Sequence, residues 1–558
     1  MKARKHTVFI AVEAMLVLLI AFVGWYFLLP AFNLRNETMW IWSVAVIIII
    51  AMAVTAYTHL LEEDVWSSRR DYHEEEVERL EKKIEIGKKV QSVLERSIII
   101  VIALGIIGFV ISFRIFHAVE YRNLADVESG SFTDDFPEAD PTGSNIPFVS
   151  MEIAQNLGDR TIANVQGAEF YEVDDEYNLI EYKGDYYRIS SLSYGGLFKY
   201  FSASNSGIPG YVLVNARTQK ATFCTVEGGY YYSPSSLFDK NLMRHLRTQY
   251  PTTIFDVKSY FEIDEEGNPY WITPTITKTI GVFGGAKVES IIITDAVNGN
   301  SEVYTVENLP KWVDHAMLLS YLKEKATDYY EFVHGVFNFS NQDVKRLSKG
   351  YTSFVNEKGE VCFTMGLTPA NAAKSNVGFI LINSRTGKIK EYLVDGIQEE
   401  TAQARVETLV QNYGYSATFP QVINVEGIPT YLMCLTGSDG LIQDVALASI
   451  STSSNATAYA QTLDEAINKY KTTLANSGAI KQEEPAESTT VEGAIQHIYT
   501  AEIDGTTFFF YLLEGDDNLY RASVSLNMRQ VLLAEGDLIK LTYNQEGDVI
   551  NVTSIELG

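Results

Sequence analysis

Apolar residues crowd the first 120 positions in three runs, 8–32, 40–61 and 98–118. Each is long enough, at about 20 residues, to cross the hydrocarbon core of a bilayer. Beyond them the pattern shortens to β-prone runs bounded by polar turns, with stretches of helical spacing between. "GYVLVNARTQKATFCTV" at 210–226 recurs in kind as "GFILINSRTGKIKEYLV" at 378–394. Both predict a hairpin, turning near Arg217-Thr218-Gln219 and Arg385-Thr386-Gly387. A looser copy, "ESIIITDAVNGNSEVYTV", occupies 289–306. Further strand–turn–strand patterns centre on Gly184, Gly267 and Gly359, and a fourth unit opens around Gly427. Helical patterns separate the units. Ala404, Val406, Leu409 and Val410 form one stripe, and Leu463, Ile467 and Tyr470 another. The predicted unit is a helix with about four antiparallel strands, present four times over 148–476.

The polar stretches 121–147 and 477–489 read as linkers, and 490–558 as five strands of a small barrel. The segment 62–97 reads as a charged helix, with Glu78–Lys82 and Glu85–Lys89 at supportive spacing. Its heptad-like stripe Val77, Leu80, Ile84 is interrupted by Gly87 and Gln91. Two readings stay open for it: a solvated extension of the third span, or a weak coiled-coil contact with an inner partner or a second copy. The fold class is thus an α-helical membrane anchor, an α+β region of repeated helix/antiparallel-sheet units, and an all-β barrel.

Basic residues orient the anchor. Lys2, Arg4 and Lys5 precede the first run and eight Lys and Arg lie between the second and third, whereas the loop between the first two carries only Arg35. The expected topology puts the N-terminus and 62–97 in the cytoplasm and 120–558 outside the cell membrane. Glu13 in the first run lies near the inner interface, where snorkelling or local pairing accommodates it. Net charge is −27. The first 120 residues hold 13 basic and 14 acidic side chains, so about −26 belongs to the remainder. That excess repels phosphate backbones and argues against nucleic acid as a partner. Cys224, Cys362 and Cys434 fall in predicted strands without a CxxC pair, which fits buried packing.

The strings "GIPGYVLVNARTQKA", "YSPSSLFDKNLMRHLRTQYPTTIFD", "FEIDEEGNPYW", "SNVGFILINSRTGK" and "ATFPQVINVEGIPTYLM" resemble a family of multi-pass Firmicutes membrane proteins, some labelled cell shape-determining. The helix-plus-hairpin unit is similar to PepSY domains, and the C-terminal pattern resembles an OB-fold. The PepSY resemblance implies protein binding outside the cell, with inhibition of a peptidase as one form of it.

No HExxH, GxSxG or Walker sequence is present. His315 neighbours Asp314 within a predicted helix, where adjacent residues face apart. Neither "DEEGN" nor "GSDG" follows EF-hand spacing. No catalytic residue, cofactor or metal ligand is therefore assigned. Tyr270, Trp271, Trp312, Phe509 and Tyr511 are the candidate binding surface, set against the reading that they pack in cores. The expected role is a non-enzymatic scaffold or regulator that binds an envelope protein, anchored in the lipid bilayer. A receptor subunit relaying an outside event through 62–97 is the alternative. A hydrolase of wall or peptide substrates would need a nucleophile or carboxylate pair that the sequence does not display.

Overall fold

The computed structural model describes residues 2–70, 74–163, 165, 167–255, 258–371, 375–451, 455–480, 489–503, 506–543 and 549–557. It forms two compact units, Met1–Ala466 and Ile467–Gly558. Most of the expected linker 477–489 lies outside the described residues.

Three helices are long and apolar enough to cross a membrane: α1 (Lys2–Leu28), α2 (Glu37–Arg70) and α3 (Glu74–Val110). α1 stops before the expected residue 32. Pro30 has no N–H for a helix, Leu29 turns to φ +44°, and Ala31 is buried beside Ile254 and Ile276. α3 stops at Val110, short of the expected 118, because the residues after it serve the β-rich region. Ser112 Oγ accepts the amides of Val282 and Phe283, each at 2.9 Å, and Arg114 pairs with Asp328 at 2.9 Å.

The helix expected over 62–97 is instead two arms of an antiparallel hairpin. Leu61 and Val65 of α2 bury Leu80 of α3, with Val77 and Ile84 packed alongside, so the heptad-like stripe is occupied within the chain. Gly87, the apparent break in that stripe, makes room for Thr58, whose Cγ2 would lie 2.2 Å from a Cβ at that position. At this end His6 and Asp64 share a buried hydrogen bond between α1 and α2.

The β-rich region contacts the opposite end of the bundle. Phe32 N donates to Pro251 O at 2.8 Å, and Asn33 Nδ2 to Thr252 O at 3.1 Å. The hairpin tip at 281–283 presses Phe283 against Trp40, and a Cβ at Gly108 would lie 2.9 Å from its ring.

Four antiparallel meanders follow, each with its strands paired in chain order. The first joins Asn178–Tyr182, Asp185–Ser190, Ile208–Asn215 and Ala221–Tyr230. The second joins Tyr260–Ile263, Pro269–Ile280, Gly284–Asp295 and Ser301–Tyr304. The third joins Thr352–Val355, Val361–Pro369, Ser375–Asn383 and Ile389–Ile397. The fourth joins Gln421–Val425, Ile428–Thr436, Ile442–Ser449 and Thr457–Ala460. Helices Met151–Ile162, Leu242–Gln249, Leu319–Glu331 and Glu399–Leu409 precede them in turn.

The recurrent "VNxRT" text has a physical basis in the last turn of the meander. Asn215 Oδ1 accepts the amides of Arg217 and Thr218; Asn383 Oδ1 does so for Arg385 and Thr386, and Asp295 Oδ1 for Val297 and Asn298. These are Asx turns. Each closes through a left-handed residue: Gln219 at φ +62°, Gly299 at +79° and Gly387 at +72°. The residue after the Asx side chain, Ala216, Ala296 or Ser384, is fully buried. Its N–H donates to the second strand at Tyr186, Pro269 or Val361, and its carbonyl accepts from Val149, from Tyr231 and Tyr232, or from Ala316 and Met317. Ile450 does the same between Pro429 and Ile397 in the fourth meander. The repeat therefore ties each meander's final turn to the chain ahead of its own helix, and a small side chain fits the clasp in three of the four cases.

The segment 121–147 is built into this region and does not act as a linker. Val127–Ser129 adds a parallel strand beside Ile389–Glu391. Phe136 is fully buried, stacked 4.4 Å from Phe354 and edge-on to Tyr392. Two aromatic anchors, Phe132 and Phe136, are enough to pin a stretch whose other residues are mostly polar.

The second unit contains a closed five-stranded barrel. Its strands in chain order are Thr489–Ile503, Thr506–Leu513, Leu519–Ser523, Leu538–Tyr543 and Val549–Leu557. Around the barrel they run first, second, third, fifth, fourth, with the third and fifth parallel.

Candidate functional site

A cavity of about 280 Å³ opens where the first, third and fourth meanders meet. Phe148, Tyr177 and Arg188 line it from the first, Tyr351 and Phe363 from the third, and Phe419, Gln421 and Leu432 from the fourth. Exposed Glu152 and Lys349 stand at its rim.

Arg188 is the unusual member. It lies in the strand Asp185–Ser190, where Arg188, Ile189 and Ser190 are all buried, so both faces of the strand end are covered. Nε donates to Val149 O at 2.9 Å, and Nη1 to Tyr177 O and Ser353 Oγ at 3.3 Å each. No carboxylate pairs with it among the described residues. Burial lowers its pKa to about 10, which leaves it charged near neutral pH.

Two further polar atoms on lining residues, Tyr177 Oη and Gln421 Nε2, are buried without a hydrogen-bond partner among the described residues. Gly158 of the helix Met151–Ile162 is what admits Tyr177, because a Cβ there would lie 1.6 Å from Oη. Cys434, also on the wall, has its thiol pushed up to about 12 by burial, far from a thiolate nucleophile. Cys362 is likewise buried with its pKa raised, and Cys224 is half-buried, so all three cysteines pack in strands.

Behind Phe363, whose ring centroid lies 5.7 Å from that of His315, sits a second polar cluster. The helix expected around Asp314 and His315 begins only at Leu319. Both residues instead lie in an irregular segment and converge on Glu262. Glu262 Oε1 accepts His315 N at 2.8 Å and shares a hydrogen bond with His315 Nδ1 at 2.9 Å, and Oε2 accepts Asp314 N at 2.8 Å. Desolvation raises Glu262 to about 8 against those donors and lowers His315 to about 4; it also raises Asp314 well above the carboxylate range. Glu262 and His315 are sealed from solvent, so the cluster braces the second meander and offers nothing to a substrate.

The aromatic residues singled out in the sequence do not form one surface. Trp271 is buried and donates Nε1 to Tyr232 O at 2.8 Å. Phe509 and Tyr511 lie inside the barrel, because alternation along a strand puts residues 509, 511 and 513 on one face and closure turns that face inward. Tyr511 Oη donates to Gln530 Oε1 at 2.9 Å there. Only Tyr270 and Trp312 remain partly accessible, their rings tilted against each other with centroids 4.9 Å apart. Arg188 and Glu262 escaped notice in the sequence. Their signal is a charge in the interior of a β-prone run, "DYYRIS" and "YFEI", with aromatic and β-branched residues on either side.

No protein-family model matches this chain, and no curated protein matches it.

Proposed function

We propose that this chain is a non-enzymatic, membrane-anchored binding protein, acting outside the cell as a scaffold or regulator of an envelope protein. The cavity carries the reading. It is open, it gathers residues from three separate meanders, and it presents an unpaired cation with apolar walls in place of an acid–base pair. The Lys and Arg distribution supports a cytoplasmic N-terminus, with the β-rich region at the outer ends of α1 and α3. The helix-plus-meander unit supports kinship with PepSY-like modules, and the barrel's strand order, with third and fifth strands parallel, supports an OB-like module.

The test places a photo-crosslinking residue at Lys349, on the cavity rim, and at Lys358, in an exposed turn, in the full chain in its native membrane. Adducts to an extracytoplasmic protein or small ligand at 349 and not at 358 are expected. Equal or absent labelling at both positions would refute the reading, as would turnover of a wall or peptide substrate by the purified protein.

One observation favours the receptor alternative. The hairpin tip at 281–283 engages Ser112, Gly108 and Trp40, so motion of the second meander would be felt directly at α2 and α3. Shortening that hairpin should then alter labelling of a cytoplasmic partner without changing labelling at 349.

A further inference from the structure

We propose that the cavity receives the carboxylate of a ligand with an apolar body, and that Arg188 is its counter-ion. The inference rests on the binding reading above and adds the chemistry of what is bound. A buried charge without a partner costs several kcal/mol, and proteins ordinarily settle it with an opposite charge. Arg188 has five N–H donors to satisfy. Two backbone carbonyls and one hydroxyl take Nε and Nη1, whereas Nη2 makes no hydrogen bond among the described residues. Gln421 Nε2, buried on a different wall, is a further donor without a partner among the described residues. Phe148, Phe363, Phe419 and Leu432 supply apolar surface between them.

The volume bounds the occupant. At about 280 Å³ it lies at the small end of ligand pockets, which suits one small organic acid or the last residue of a polypeptide.

The opposing view makes Arg188 a structural link between Val149, Tyr177 and Ser353. The experiment separates the two with the full chain in nanodiscs and four probes: N-acetylphenylalanine, its amide, and a tetrapeptide ending in phenylalanine with a free or amidated C-terminus. Saturation-transfer NMR and titration should show the acids binding at least about tenfold more tightly than the amides. Arg188→Met should abolish that preference. If Arg188→Met does not fold, Arg188→Lys, which keeps the charge but not the fork, should weaken both acids and leave the amides unchanged. Preference for the peptide acid over the small acid identifies a protein terminus as the source, and the reverse identifies a free metabolite. Equal affinity for acid and amide, or no binding by any probe, overturns the proposal. Labelling at 349 would still stand in that case if the wider binding reading is right, so the two fail separately.

A different observation carries a second inference. Leu197, Phe198 and Phe201 of the short helix Leu197–Ala203 are exposed at 56%, 86% and 56%, and Phe238 at 53%. Phe201 and Phe238 lie 6.3 Å apart. Phe238 O accepts Arg244 Nη1, and the Arg244 guanidinium stacks 3.9 Å over Tyr26 in the last turn of α1. The patch thus lies beside the end of α1, edged by Arg244 and by Lys199 and Lys240, which face Glu172 and Asp239. We infer that these four side chains dip into the interface of the bilayer that α1 crosses, with the basic residues at phosphate level. A spin label at Phe198→Cys, in a Cys224→Ser background of the full chain in nanodiscs, should be accessible to oxygen and shielded from a water-soluble nickel chelate. A label there as open to nickel as one at 358 overturns the inference.

Discussion

Raising the pH from 6.5 to 8 should loosen the second meander through Glu262. Its value in the fold is about 8 against 4.5 for a free glutamate, so the folded state holds a proton that the unfolded chain has lost. That contribution is complete below pH 4.5 and is lost as the pH climbs toward 8. His315 acts in the opposite sense: lowered from 6.5 to about 4, it adds stability as the pH rises from 4 to 6.5. The two largely cancel between 4.5 and 6.5; above 6.5 Glu262 loses stability together with Asp314, whose carboxyl burial also holds well above the usual range. At about 1.4 kcal/mol per pH unit, Glu262 accounts for about 2 kcal/mol of the loss from 6.5 to 8, and Asp314 adds to it in the same direction. Hydrogen exchange of the full chain in nanodiscs, corrected for intrinsic rates, reads it locally at Tyr260–Ile263 and 314–317. At least about a thirtyfold fall in protection is expected in the wild type, and Glu262→Gln should reduce the dependence. Equal protection at both pH values, or a fall undiminished in the variant, would refute the assignment.

Arg385→Met should cost about 3 kcal/mol, because its guanidinium donates to the carbonyls of Leu309, Pro310, Lys311 and Val313, and all four lose that donor. Thermal denaturation should show a smaller loss for Arg217→Met, whose side chain bonds Asp185 and Ser144. Gln219→Gly should stabilise by about 1 kcal/mol, since a non-glycine residue now holds φ +62°. Gly387→Ala should destabilise by at least as much, because φ there is +72° and the new Cβ would meet Met317 Sδ at 3.1 Å. Gln530→Leu should weaken the barrel by about 2 kcal/mol, measured by exchange over 506–523. It strips partners from both Tyr511 Oη and Ser523 O.

Local pattern was sufficient wherever the physics is local. Three apolar runs became three long helices because about 20 apolar residues have no other stable arrangement in lipid. The "VNxRT" strings became Asx turns because the Asn side chain bonds amides two and three residues on, whatever lies around it. Alternation located most strands, and five of them closed into a barrel.

What no local pattern contains is which residues distant in sequence meet. The cavity joins residues 148–188, 349–363 and 418–434, and nothing in any one of those segments encodes the other two. Arg188 reads as an ordinary strand residue until Val149, Tyr177 and Ser353 close around it. Asp314 and His315 were set facing apart by the assumption of a helix; in the fold both point their backbone amides at a glutamate some 50 residues earlier. Polarity made 121–147 a linker until Phe136 found Phe354 and Tyr392. The sequence by itself determined the elements, since hydrogen bonding and hydrophobic period act within a few residues. The tertiary structure decided the site, since desolvating one charge depends on every wall that surrounds it.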